Sequence, residues 1–428
     1  MSRLRVLTGI TPSGSPHLGN YVGAIRPAVR ASRSPDTECF YFLADYHALI
    51  KNHDPVRLQR STLEIAASWM ACGLSPEHVA FYRQSDVPQV QELTWLLTCV
   101  TGKGLLNRAH AYKAAMDKNA AAGADPDADV TAGLFMYPVL MAADILIFNA
   151  NRVPVGRDQI QHIEMARDMA SSFNHLYGEL FALPEAVIDD NVATLPGLDG
   201  RKMSKSYDNT IPLFVPRAQL HKLINGIKTD SLPPGAPKST EGSALFELYQ
   251  AFATPEETAA FGQAFADGIA WGDAKQALFE RVDREIAPMR ERYDALMADP
   301  SQVEAALLLG AQKVQPMAQD LLIRARAAVG LKPLTQIASA PQKAAKKAAK
   351  ASFKQYRDED GQFRFKLVDD AGTVLLQSRG FASPKDAGAL VAQLKSGGVT
   401  ALDAASNDLE VQAEREVLTS ALQDFQEH

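Results

Sequence analysis

The first half of the chain alternates two periodicities, and that alternation constrains the fold more than any other feature. Short apolar runs, RVLTGI (5–10), ECFYFLAD (38–45), HVAFYRQS (78–85) and VPVG (153–156), are separated by helical patterns at about 18–31, 55–72, 90–100 and 130–149, with another beginning at Asp158. Strands separated by helices pair in parallel through right-handed crossovers. The expectation is an α/β fold: a Rossmann-like doubly wound parallel sheet over residues 1–210, with ligands bound where strands end and helices begin.

From Pro216 to about Val329 only helical periodicity remains, as in FERVDREIAPMRERYDALMAD (279–299), which marks a helical domain over 211–335. A basic Ala/Lys linker occupies 336–351. A small α+β module is expected at 352–398, where FRFKLV, a DDAG turn and TVLLQS read as a β-hairpin and Ser383-Pro384 opens a helix to about Leu394. Residues 399–428 read as an acidic tail.

With 46% hydrophobic and 22% charged residues, the composition excludes a disordered or fibrous chain. Cys39, Cys72 and Cys99 lie too far apart for a CxxC metal site or a disulfide framework, so no metal site is expected and a reducing, cytoplasmic setting is the default. The N-terminus lacks the apolar core of a signal peptide. The longest apolar run, Val139 to Phe148, is too short for a membrane span and contains Asp144. As an average, the net charge of −6 opposes a nucleic-acid partner, but it lies wholly in Ala401–His428, where seven acids face one base. Just upstream, Lys343, Lys346, Lys347, Lys350 and Lys354 recur at helical spacing. That stretch is either a solvated linker or a phosphate-backbone contact, the latter marked by salt dependence. Arg364, Lys366 and Arg379, with Phe363 and Phe365, are likewise either RNA contacts or ordinary half-buried strand residues.

Two segments carry chemistry. GITPSGSPHLGNYVGAI (9–25) joins the first strand to the first helix; its small residues let a bulky ligand approach the backbone, and the helix start offers free N–H groups to anions. GRKMSKSYDN (200–209) sets Lys202 and Lys205 in a polar loop, an arrangement suited to the charge that develops on a leaving polyphosphate. A Gly/Ser turn or a basic loop alone is commonplace; the pair is specific.

Taken together they resemble the class I aminoacyl-tRNA synthetases. HLGN (17–20) looks like the HIGH signature, with Asn20 in place of its last histidine, and KMSKS (202–206) matches its counterpart letter for letter. PSG (12–14), DYHA (45–48), YPVLMAADIL (137–146) and VPVGRDQIQH (153–162) narrow the resemblance to the bacterial tryptophanyl-tRNA synthetases, over residues 5–330 and in a long form with a C-terminal extension. The resemblance implies tryptophan activation by ATP carrying Mg2+, transfer to the 3′ end of a tRNA, a homodimer, and anticodon reading by the helical domain. It implies catalytic roles for His17, Asn20, Lys202 and Lys205. For ATP it implies Thr11, Pro12, Ser13, Gly19 and Asn20, then Gly156, Arg157, Asp158 and Val192, and the loop residues Lys202, Met203, Ser204, Lys205 and Ser206. For tryptophan it implies Gly9, His47, Tyr137, Met141, Asp144 and Gln159.

The residues themselves support the amino-acid assignment. Tyr137, Met141 and Asp144 fall at i, i+4 and i+7, on one helix face. An indole N–H is a donor only, so its pocket needs an acceptor, which Asp144 supplies; otherwise Asp144 must pair with a cation of the fold. His47 either lines the pocket or is a satisfied structural histidine, and either Lys113 or Lys118 is a candidate phosphate ligand. The alternatives are a tyrosyl enzyme, a small-molecule adenylyltransferase, and a non-catalytic RNA-binding relative.

Overall fold

The computed structural model describes residues 3–188, 194–334, 351–369 and 372–426. The chain forms two compact units, Met1–Leu331 and Lys332–His428.

The first unit is built on a parallel sheet of β1 (Leu4–Ile10), β2 (Thr37–Leu43), β3 (Ala80–Arg83), β4 (Arg152–Pro154) and β5 (Glu185–Val187), in the order β3-β2-β1-β4-β5. The last five residues of β2 are all buried, as an interior strand covered on both faces requires. Four strands coincide with the apolar runs; β5, the segment EAV, lies in no apolar run. The strand order reverses between β1 and β4, which places a binding crevice at their C-terminal ends. The helix expected at 18–31 forms as Leu18–Asn20, a π turn Tyr21–Ile25, and Arg26–Ala31. Asp54 caps the crossover helix Pro55–Ala71 by accepting from the N–H groups of Val56 and Arg57.

Five helices follow: Arg217–Asn225, Ala244–Phe252, Pro255–Ala266, Trp271–Ala298 and Pro300–Ala328. They share a core with the sheet layer: Ile10 and Trp69 belong to the same buried cluster as Leu278 and Val303. Arg292 donates twice to the Ala71 carbonyl, at 2.9 and 2.7 Å, satisfying the end of the crossover helix. A Cβ on Gly310 would lie 1.8 Å from the Phe81 carbonyl oxygen, so the last helix meets β3 backbone to backbone. The expected boundary near residue 210 therefore separates two kinds of secondary structure within one packed unit.

The C-terminal unit is an antiparallel sheet of β6 (Ser352–Arg357), β7 (Phe363–Val368), β8 (Val374–Ser378) and β9 (Leu409–Val411), with helices Pro384–Ala404 and Arg415–Gln426. The expected hairpin is β7–β8, with Leu367 opposite Leu376. The expected tail is not separate. The first helix crosses residue 399 and bends at Gly398 (φ 53°), Leu409 lies in β9, and Leu418 and Leu422 are buried in the core. Counting charge hid that apolar spacing, because Asp403, Asp408, Glu410, Glu414 and Glu416 are exposed. Phe365 is fully buried and Phe363 lies under the Arg357 guanidinium, so neither phenylalanine offers RNA an open ring. Arg364 is held by Asp358 and Asp360, and Lys366 lies over Tyr356. Lys343, Lys346, Lys347 and Lys350 lie outside the described residues, as does Val192. Among the described residues no helix is long and apolar enough to cross a membrane, and no group of three or more metal-ligating side chains occurs.

Candidate active site

A cavity of about 720 Å³ opens at the C-terminal edge of the sheet, at the ends of β1, β2 and β4. Gly9 and Thr11–Ser13 line it from the first turn, His47 from the turn after β2, and Gly156 and Gln159 from the turn after β4. Tyr137, Met141 and Asp144 line it together from the helix Ala132–Leu146, as their spacing requires. The volume suits a small ligand largely enclosed by protein. Gly9 is set by space: a Cβ there would meet the Phe42 ring at 3.0 Å.

Asp144 is 2% exposed. Its Oδ2 accepts from His47 Nε2 at 2.9 Å, and Gln84 Nε2 donates to both carboxylate oxygens at 2.8 and 2.9 Å. Burial raises its pKa, opposed by those His47 and Gln84 donors. A carboxylate with three donor contacts still has lone-pair capacity for a fourth donor from the cavity. His47 thus both lines the cavity and anchors Asp144, so its two readings are compatible. Gln84 escaped sequence reading; it stands at the end of HVAFYRQS, and the strand-end rule that pointed to His47 would have found it too.

The turn 17–20 is built on itself. His17 Nδ1 accepts from the Asn20 N–H at 3.2 Å, and Asn20 Oδ1 accepts from the His17 N–H at 3.1 Å, a reciprocal cap of the helix start. Because Nδ1 accepts, the ring proton sits on Nε2, which remains a donor. A Cβ on Gly19 would approach the His17 ring to 3.1 Å, which explains the glycine. Burial, with the Lys205 charge, lowers the His17 pKa to about 4. The free value near 6.5 lies above the folded one, so the unfolded chain binds the proton more readily and stability is lost as pH falls through that window. The expected outcome is a His17 imidazole NMR signal without a titration step between pH 8 and 5; a midpoint near 6.5 would contradict this burial.

The loop 202–206 reaches the same turn. Lys205 Nζ donates to the Ser13 carbonyl at 3.0 Å, and burial lowers its pKa. Met203 is buried and anchors the loop in the core. Asn209, also missed from sequence, organises the rest: its Oδ1 accepts from the Ser204 N–H at 2.8 Å and its Nδ2 donates to Asp199 at 2.7 Å and to the Lys202 carbonyl at 3.1 Å. The Asn209 bond to Asp199, with the Arg201 side chain and N–H, holds the Asp199 pKa at about 2. Ser204 and Ser206 hydroxyls pair at 2.8 Å, and Lys202 is exposed.

At the third turn, a Cβ on Gly156 would lie 2.7 Å from Asp158 Oδ1, so the glycine makes room for that carboxylate. Gln159 Nε2 donates to Asp158 Oδ2 at 2.8 Å, and Arg157 lies in the same short 3-10 turn. Lys113 and Lys118 are exposed on the helix His110–Ala121 and neither lines the cavity. Lys51 and Arg57 do line it, cations that the sequence reading did not single out.

A family model described as tRNA synthetases class I (W and Y) matches residues 1–286. The tryptophan–tRNA ligase of Xanthomonas campestris pv. campestris is 71% identical over 391 residues, 91% of this chain and 91% of that one. The tryptophan–tRNA ligase of Xanthomonas axonopodis pv. citri is 65% identical over 426 residues, 99% of this chain and 98% of that one. The crystal structure of tryptophanyl-tRNA synthetase from Campylobacter jejuni complexed with ADP and tryptophan is similar with a TM-score of 0.70 and 41% identity, covering 76% of this chain and 100% of that one.

Proposed function

Since the chain belongs to the class I tRNA synthetases of the tryptophan and tyrosine type, we infer from that membership and from the cavity chemistry that it joins tryptophan to tRNA at the expense of ATP. The observation that carries the choice of amino acid within the site is Asp144: a buried acceptor, fixed by His47 and Gln84, on the cavity wall. An indole N–H, which only donates, completes that set.

In the first step the tryptophan carboxylate oxygen attacks the α-phosphorus of ATP, the bond to the β-phosphate bridging oxygen breaks, and pyrophosphate leaves from tryptophanyl-adenylate. In the second, a hydroxyl of the terminal tRNA ribose attacks the adenylate carbonyl carbon and AMP leaves. Neither step needs an enzyme nucleophile, so the protein acts by positioning and by stabilising charge. His17, neutral with its Nε2–H as donor, and Asn20 face the phosphates. Lys202 and Lys205 neutralise the charge that grows on pyrophosphate, with Mg2+ arriving on the ATP. Thr11, Pro12, Ser13 and Gly19 give the nucleotide a close-approach backbone, and Asp158 beside Gly156 accepts from the ribose hydroxyls. Met141 packs on the indole, while Tyr137 and Gln159 meet the amino group. The helices after residue 216 contact the tRNA anticodon, the working form is a homodimer, and the protein acts in the cytoplasm.

The direct test is aminoacylation of total bacterial tRNA with labelled amino acids. Charging with tryptophan alone supports the reading; charging with tyrosine, or none with either, overturns it.

A further inference from the structure

Behind the cavity wall, Tyr137 is flanked by two imidazoles. The His47 ring meets it edge-on at 6.3 Å, and the His162 ring lies at 5.2 Å, with Tyr137 Oη 2.5 Å from His162 Nε2. His162 is 4% exposed, on the helix Ile160–Tyr177, and is not among the residues lining the cavity. Its Nδ1 is buried without a hydrogen-bond partner. This histidine has no part in the steps above, yet it touches the one hydroxyl that faces the substrate amino group.

A phenol hydroxyl has one proton to place. Pointed into the cavity, it opposes an ammonium group, which only donates; pointed at His162, it leaves the oxygen lone pairs free to accept. A substrate ammonium, which needs an acceptor, favours the second placement. The contact therefore reads as Tyr137 O–H donating to an unprotonated His162 Nε2.

We propose that His162 is a positioning residue that fixes the polarity of Tyr137, so that the phenol oxygen accepts from the substrate ammonium. This deepens the tryptophan-binding reading of the cavity and rests on it.

The groups around His162 keep its ring neutral. Burial lowers its pKa, as do His110 on the helix His110–Ala121 and His47 beyond Tyr137; Asp158, one turn before it, acts in the opposite sense. In acid, a proton on Nε2 turns His162 into a donor. The Tyr137 proton must then face the cavity, and the KM for tryptophan rises as pH falls below the ordinary histidine range.

The test is tryptophan-dependent ATP–pyrophosphate exchange by the full-length protein from pH 5 to 8, with His162→Leu and His162→Gln. His162→Leu removes the acceptor, and its KM for tryptophan rises at least about tenfold at pH 8 with kcat little changed. His162→Gln offers an amide oxygen that accepts but does not titrate, so it keeps a KM near wild type at pH 8 and loses the acid rise in KM. A purely structural His162 would instead move kcat and Tm and leave the pH profile intact. A His162→Leu KM within twofold of wild type, or an acid rise preserved in His162→Gln, overturns the proposal. If His162→Leu does not fold, the His162→Gln profile decides alone. No exchange by the wild-type protein would instead refute the tryptophan reading beneath it.

Discussion

Lys205→Ala is expected to lower tryptophan-dependent ATP–pyrophosphate exchange by about 10²–10³-fold, the usual cost of removing one preorganised charge-stabilising group. Tryptophan affinity, measured by equilibrium binding without ATP, should stay within about twofold. The split follows from position. Lys205 is joined to the Ser13 carbonyl at the mouth of the first turn, whereas the amino-acid end of the cavity is lined by Tyr137, Met141 and Asp144. In the proposed function its ammonium bears on the departing phosphates and not on the indole, so its loss falls on the transition state. Two anchors keep the loop in place without it: Met203 in the core and the Asn209 bonds to Ser204 and Lys202. A variant with unchanged exchange would remove Lys205 from the phosphate end. Equal losses in exchange and in tryptophan binding would mean that the loop collapses.

Asp144→Ala acts at the other end. The substitution removes the proposed acceptor for the indole and leaves the His47 and Gln84 donors facing a buried void. Sites built around such a hydrogen bond discriminate by large factors, so the KM for tryptophan should rise by about 10²-fold or more. The unpaired donors cost about 1–3 kcal/mol each, which lowers Tm as well. Asp144→Asn separates the two effects: it keeps the shape and therefore most of the stability, but turns an NH2 group toward His47, Gln84 or the indole. Its KM should rise while its Tm stays closer to wild type. Steady-state exchange kinetics and thermal melts on the two variants check this. A tryptophan KM unchanged in both would show that Asp144 serves the fold alone.

Sequence pattern and structure agree where one physical signal dominates. The parallel sheet was readable because β1 to β4 are apolar runs set between amphipathic helices, and the site turns were readable because Gly9, Gly19 and Gly156 sit where strands give way to helices. Helical spacing put Tyr137, Met141 and Asp144 on one face, once the resemblance had singled them out. What escaped depends on contacts distant in sequence. Gln84 gains meaning only when β3 is laid beside the helix bearing Asp144, and His162 only when its helix meets Tyr137. Gly310, unremarkable in a helix, is required because β3 passes against it. Strand β9 and the last helix were hidden by their acids, since seven carboxylates drew attention from the leucines that bury the other side.

The most direct measurement is ATP–pyrophosphate exchange by the purified full-length chain with tryptophan, with tyrosine and with no amino acid. Exchange that requires tryptophan, and is absent with tyrosine or with none, is the predicted result. Exchange that proceeds without an amino acid, or that prefers tyrosine, would contradict the assignment of the cavity.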